Sequence, residues 1–208
     1  MSVVNNHVND IMMIDGLPEE VQNRANIMHQ EMRRANNQLV QILTLYKIDN
    51  HRLSPNIMEY NMYDFLEELM VEENALAEAQ NITLDIEADE WLSWYLDADL
   101  VKGVLSSTIG NAKRYTKDQV LMTAEEQDGY LVIRIEDNGA GYPAAFIDSH
   151  KEGRAEDMGR AFSEGRTQLG FFFAANIAEA HENKERKGFI RLKNRHSLTG
   201  GCFEMWLP

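Results

Sequence analysis

The feature that most constrains this chain is a strand that runs out into carboxylates and glycines. Tyr130-Leu-Val-Ile-Arg-Ile135 has the alternation of a strand, and Glu136-Asp-Asn-Gly-Ala-Gly141 follows it without a break. A buried strand delivers Asp137 and Asn138 at its end. Gly139 and Gly141 then let the backbone turn tightly and approach a ligand with no Cβ in the way. A carboxylate held at a strand end can accept a hydrogen bond from an exocyclic amine, and the glycines beyond it leave room for a flat ring. Asn-Gly is also a common turn dipeptide, so the motif alone reads equally as a plain turn.

Two flanking segments add weight. Upstream, Val101, Val104, Leu105, Thr108 and Ala112 recur at helical spacing, with Asp97 or Asp99 available as a cap. Ser107 and Asn111 lie one turn apart on a face of that helix. An asparagine amide oxygen there is a suitable ligand for Mg²⁺, which takes oxygen donors and keeps water and substrate phosphates in its shell. Downstream, Gly165-Arg-Thr-Gln-Leu-Gly-Phe171 opens a helical run from Phe172 to His181. A glycine-bearing loop at a helix start offers free N–H groups and the positive end of the dipole to an anion.

In this order and spacing the three segments resemble the ATP-binding domain of sensor histidine kinases, within the wider group that shares the Bergerat ATP-binding fold. The resemblance runs from about Asn56 to Pro208. It implies an α+β architecture: a helical hairpin over 1–54 that dimerises as a four-helix bundle, then a two-layer α/β sandwich of the histidine-kinase-like ATPase type over 55–208. It also implies ATP and Mg²⁺ as ligands. Asn111, in Asn-Ala-Lys-Arg-Tyr-Thr116, matches the family's Mg²⁺-ligating asparagine, and Lys113 and Tyr115 are carried with it as nucleotide-site residues. Asp137 matches the adenine-reading aspartate, beside Gly139 and Gly141. Thr167-Gln168-Leu169-Gly170 matches the second glycine box, with Arg166 beside it carried as a nucleotide-site residue, and Gly200 to Pro208 matches the last strand. Two departures stand out. Ser107 replaces a second asparagine, and Arg166 and Gln168 replace glycines. Those side chains would crowd the phosphates, or Arg166 would bind one, since a guanidinium suits phosphate geometry.

The N-terminal part reads as two helices. Val4, Val8, Ile11 and Met12 share a stripe, Gly16-Leu-Pro18 is a stop and restart, and Val21, Ala25, Met28, Met32, Ala35, Leu39, Ile42 and Tyr46 form a heptad seam. The second helix outruns the first, so the seam at Leu39, Ile42 and Tyr46 is expected to be covered by a second copy of the chain. The family's phospho-acceptor box is not found in the sequence. Ser2–Asn9 resembles the stretch after such a box. His7 and His29 are the candidate acceptors, but Val8 follows His7 and neither histidine has an adjacent acid.

Between these parts, Ile57–Tyr60 and Ile82–Glu87 read as strands, and Tyr63–Ala79 as a helix with Phe65, Leu66, Leu69 and Leu76 inward. Its Glu67, Glu68, Glu72 and Glu73 read as a solvated acidic face. Trp91–Leu96 reads as a strand and core wall, and Val120–Ala124 pairs with Tyr130–Ile135 around a turn. From 143 to about 166 the chain is polar and reads as a lid over the site, with His150, Lys151, Arg154 and Arg160 able to meet phosphates. A final strand pair spans Gly188–Asn194 and Gly201–Leu207, where Cys202 is read as a small core residue.

A net charge of −14 argues against nucleic acid and anionic membranes as partners. The sequence has neither a membrane-length apolar run nor a signal peptide, so a cytoplasmic location is expected. The expected function is ATP·Mg²⁺ binding in two-component signal transduction, as a transferase related to phosphoryl transfer toward a response regulator receiver domain. Two rivals are carried. One is a degenerate scaffold that docks a regulator without ATP turnover. The other is a serine/threonine-directing relative such as an anti-sigma-factor kinase, which the heptad helix disfavours.

Overall fold

The computed structural model describes residues 18–149, 156 and 169–208. The chain divides into two compact units, Met1–Asn50 and His51–Pro208. The expected first helix, with His7, lies outside the described residues, as does most of the expected lid with its four basic residues.

In the first unit, helix α1 covers Glu19–Asp49. Pro18 precedes it, where a missing N–H costs nothing, and the Val21 N–H donates to Pro18 O at 2.9 Å. At the other end Asn50 donates its side-chain amide to Tyr46 O, and Lys47 favours the negative end of the dipole. The helix is roughly 45 Å long at 1.5 Å per residue. Leu39, Ile42 and Tyr46 of the seam are exposed, and so are Val40 and Leu43 beside them.

The second unit is a mixed α/β layer pair. Strand β1 (Met58–Asn61) leads into helix α2 (Met62–Glu78), then β2 (Thr83–Ala88) and β3 (Ser93–Leu96). Helix α3 (Ala98–Tyr115) follows, then β4 (Gln119–Gln127) and β5 (Tyr130–Asp137), and the short α4 (Ala144–Ser149). Helix α5 (Leu169–Ala180), the small pair β6 (Glu182–Asn183) and β7 (Arg186–Lys187), then β8 (Phe189–Asn194) and β9 (Gly201–Leu207) complete it. The main sheet has the order β2-β4-β5-β9-β8, with β2 parallel to β4 and the other pairs antiparallel. Strands β1 and β3 form a separate antiparallel pair.

Strand alternation sorts the central residues between two faces. Leu131, Ile133 and Ile135 of β5 stand opposite Leu207, Met205 and Phe203 of β9. Phe203 stacks on Phe171 of α5 at 6.3 Å between ring centres, so this is the helix-covered face. Val101, Val104, Leu105, Ile109 and Ala112 line the buried side of α3. Burial of each large apolar side chain is worth about 1.5–3 kcal/mol relative to exposure. The opposite face carries Arg134, Glu136 and Glu204, which are also buried. Arg134 donates to Glu204 and Glu125 at 2.8 and 2.7 Å, which satisfies the charges there.

The β4–β5 hairpin is longer than its apolar runs suggest, because Glu125, Glu126 and Gln127 also pair with β5. Asp128 and Gly129 close it with φ of 54° and 74°, the left-handed pair that a tight hairpin turn requires. Three expectations are corrected. Trp91 is not a core wall: it lies before β3, 88% exposed, where its N–H donates to Asp89 Oδ1 in a turn, and Tyr95 is exposed too. Glu73 is not on the solvated face but buried against Lys113 at 2.6 Å. Residues 144–149, at the start of the expected lid, are helical. The β6–β7 pair was not anticipated from the sequence. Among the described residues no helix is long and apolar enough to cross a membrane.

Candidate functional site

Strand β5 ends on Asp137, and its carboxylate is held by backbone. Asp137 Oδ1 accepts from the Gly139 N–H at 2.7 Å, and Oδ2 accepts from the Gly201 N–H at 3.2 Å. Its own carbonyl accepts from the Gly200 N–H at 2.9 Å. The side chain is buried, so its position is set by these donors rather than by solvent.

Glycine is required around it. A Cβ on Gly139 would lie 2.0 Å from Tyr115 O, at the end of α3. A Cβ on Gly200 would lie 2.2 Å from Asp137 Oδ1. Gly141 has φ of 77°, and a Cβ there would meet Asn194 Oδ1 at 2.7 Å. Gly139 and the Gly200–Gly201 pair therefore crowd backbone around one carboxylate, and Gly141 makes room for the Asn194 side chain.

Three side chains that the sequence reading did not assign hold this turn. Asn138 Oδ1 accepts from the Lys117 and Asp118 N–H groups at 3.1 and 3.2 Å, and its amide donates to Asp118 Oδ1 at 2.6 Å. It therefore ties the α3–β4 loop to the end of β5. Asn194, the last residue of β8, clips the backbone of Tyr142: its Oδ1 accepts from the Tyr142 N–H and its amide donates to Tyr142 O, both at 2.8 Å. Glu136 faces away from Asp137 and grips the β8–β9 loop. Its Oε2 accepts from the Ser197 and Leu198 N–H groups at 2.8 and 3.1 Å, and Oε1 pairs with His196 Nδ1 at 2.8 Å. Side-chain-to-backbone clips of this kind carry no periodicity, so spacing could not have exposed them.

Beside Asp137 the walls are aromatic. Tyr142 packs against Phe146 and Phe171 with ring centres about 6 Å apart. Burial, then the negative charge of Asp137, pushes the Tyr142 phenol up, so it remains a neutral hydrogen-bonding group.

Asn111 is half-buried on α3, one turn before Tyr115, whose carbonyl abuts Gly139. Its amide has no hydrogen-bond partner among the described residues. Asp97 caps the helix by accepting from the Leu100 N–H at 3.0 Å, which decides between the two expected caps. Lys113 is turned to Glu73 of α2, with both side chains more than nine-tenths buried. Tyr115 is exposed. Gly170, second in α5, lies beside α3, where a Cβ would sit 3.4 Å from Ser107 Oγ. Leu169 is the first residue of α5, and Arg166, Thr167 and Gln168 lie outside the described residues. His29 is on α1, in the other unit. The second unit thus gathers Asp137, Gly139, Gly141 and the end of α3, with Gly170 against the middle of α3.

Residues 96–208 match the family of histidine kinase-, DNA gyrase B- and HSP90-like ATPases. The chain is 25% identical over 175 residues to the sensor protein SrrB of Staphylococcus aureus, covering 81% of this chain but only 30% of that protein. It therefore spans about a third of the length of the curated relatives it matches. The histidine kinase AdeS of Acinetobacter baumannii superposes with a TM-score of 0.65 at 18% identity, over 99% of this chain and 93% of that one. Full-length ShkA, solved in complex with AMPPNP, superposes with a TM-score of 0.64 at 16% identity, over 91% of this chain and 38% of that one. The site is thus set in the fold of histidine-kinase catalytic cores, and the chain belongs to the histidine kinase-, DNA gyrase B- and HSP90-like ATPase family.

Proposed function

We propose that the second unit binds ATP with Mg²⁺, and that the chain serves two-component signalling in a role related to phosphoryl transfer toward a response regulator receiver domain. The observation that supports this best is the Asp137 carboxylate, fixed by two backbone N–H groups and hemmed by glycines. A carboxylate oxygen has more than one lone pair, so each can accept again. The adenine amine donates to such an acceptor, whereas guanine presents a carbonyl oxygen at the same place and is repelled.

Asn111 suits Mg²⁺, because its amide oxygen, without a partner among the described residues, is a hard donor of the kind that ion takes. When bound, the ion neutralises charge on the phosphates. The chain's own contribution is positioning: Asp137 is assigned to the base, Asn111 to Mg²⁺, and the Thr167–Gly170 stretch to the phosphates. Neither His7 nor His29 has the acidic neighbour that an acceptor uses, so the acceptor role is assigned to neither. The exposed stripe of α1 suits a homodimer.

A second reading, a nucleotide-binding scaffold without turnover, is favoured by one observation. Lys113, an expected nucleotide-site cation, is engaged by Glu73 instead.

Calorimetric titration tests the ligand. Wild type should bind ATP more tightly than GTP, with a contribution from Mg²⁺. Asp137→Asn should weaken ATP by about 1–3 kcal/mol, the cost of losing a charged acceptor. Equal affinity for ATP and GTP, or a variant as tight as wild type, would show that Asp137 does not read the base.

A further inference from the structure

The chain is acidic, yet its basic residues are not evenly spread. Residues 184–196 hold six of the 20 lysines and arginines, against the single acid Glu185. Lys184 lies in the β6–β7 turn, Arg186 and Lys187 on β7, Arg191 and Lys193 on β8, which is the edge strand of the main sheet, and Arg195 just beyond it, while β6 adds the acid Glu182. The opposite edge strand, β2, carries Asp85 and Glu87.

Lys187 is paired with Glu179 at 3.0 Å and Lys193 with Glu204 at 2.6 Å, so Lys184, Arg186, Arg191 and Arg195 are the cations without an ion pair among the described residues. Tyr130, Phe189 and Trp206 meet at one corner of the sheet, with Phe189 and Trp206 stacked at 5.3 Å. The Arg191 guanidinium lies over both, 5.0 and 4.7 Å from the ring centres, and its side chain is exposed with no carboxylate partner among the described residues. Arg186 lies over Tyr130 at 5.4 Å and donates to the carbonyls of Asp128 and Gly129. A stacked guanidinium keeps its donor fork free at the edges and loses little rotamer freedom on binding an anion. Lys184 and Arg195 sit at turn tips with φ of 58° and 59°. Glycine or asparagine would be less strained there. Guarding an edge strand against aggregation needs only a lysine or two on the strand. It does not account for long cations kept at strained turns, or for an arginine laid on an aromatic floor.

We propose that the β8 edge, from the β6–β7 turn at one end to Arg195 at the other, is a docking edge for an acidic, extended segment of a partner protein. The segment would add beside β8, with its carboxylates on Arg191, Lys184 and Arg195. The charge contrast selects the occupant. A second copy pairing its acidic β2 edge here would extend without closing, which soluble assemblies avoid. A nucleic acid would carry its phosphates past the patch into the field of a chain with net charge −14.

Fluorescence anisotropy on the full chain tests this with a labelled peptide of alternating Glu and Val. A Lys–Val peptide, a single-stranded oligonucleotide and a backbone-N-methylated Glu–Val peptide serve as comparisons. The Glu–Val peptide should bind, and roughly tenfold more weakly when salt is raised past the point where the Debye length falls below about 8 Å. The double variant Lys184→Gln, Arg191→Gln, which avoids setting an acid opposite Glu204, should lose about that factor while binding ATP like wild type. The Lys–Val and N-methylated peptides should not bind. The proposal is overturned if the Glu–Val peptide fails to bind, or if it binds the double variant equally. Equal binding of the N-methylated peptide overturns strand addition, and preference for the oligonucleotide overturns the choice of partner.

Discussion

Lys113 offers the sharpest test, because it was expected at the nucleotide and is found in an ion pair. Its Nζ lies 2.6 Å from Glu73 Oε2, with side-chain exposures of 8% and 7%. Removing one member of such a pair leaves a buried charge without compensation, at a cost of about 3–5 kcal/mol. Lys113→Met should therefore destabilise the second unit by that amount. Urea unfolding would read it as a shift of midpoint at unchanged slope. Lys113→Met combined with Glu73→Leu replaces both charges by apolar groups and should return to within about 1–2 kcal/mol of wild type. ATP affinity, measured well below the unfolding midpoint, should be unchanged in the double variant. A large loss of ATP affinity in the double variant at wild-type stability would refute this and return Lys113 to the phosphates.

Three further outcomes are expected. Replacing both Leu39 and Ile42 with Lys should turn a dimer into monomer or aggregate in light scattering; a wild-type chain that stays monomeric at high concentration would remove the basis for the dimer. His181 Nε2 accepts from the Asp97 N–H at 3.0 Å and burial, opposed by the Ile177 carbonyl and Asp97, pushes its pKa down, so the folded state binds its proton later than the unfolded chain. Stability should fall as pH drops through the ordinary histidine value of about 6.5 toward the lower folded value, and His181→Gln should flatten that slope in pH-dependent thermal melts. Incubation with γ-labelled ATP should leave little acid-labile, alkali-stable label on the chain; strong label abolished by His7→Ala or His29→Ala would make that histidine the acceptor.

What the sequence showed, it showed through periodicity and through short motifs with a physical reason. The buried stripe of α3 and the strand before Asp137 appear where spacing put them. The glycines around Asp137 were legible because backbone approaches closely only where no Cβ intervenes. What stayed hidden depends on contacts distant in sequence. The Lys113–Glu73 pair joins α3 to α2, and Glu73 shares its helix with acids that do face solvent, so pattern could not single it out. Asn194 meets Tyr142 only because β8 ends beside the turn after β5. Trp91 was misplaced because an aromatic run usually marks a core, whereas here Asp89 starts a turn that carries Trp91 outward.

Glu136 and Asp137 are consecutive, yet they point to opposite faces of the sheet and both fasten the β8–β9 loop: one takes Ser197 and Leu198, the other Gly201. This makes the pair a register gauge. A slip of β5 by one residue would send the longer carboxylate to the face that Asp137 now occupies and the shorter one to the opposite face. The longer arm would then meet the space closed by Gly200, and the shorter would fall short of Ser197 and Leu198. Two carboxylates that differ by a single methylene thus oppose mispairing of the central strand, and the strand that carries the proposed base reader also checks its own alignment.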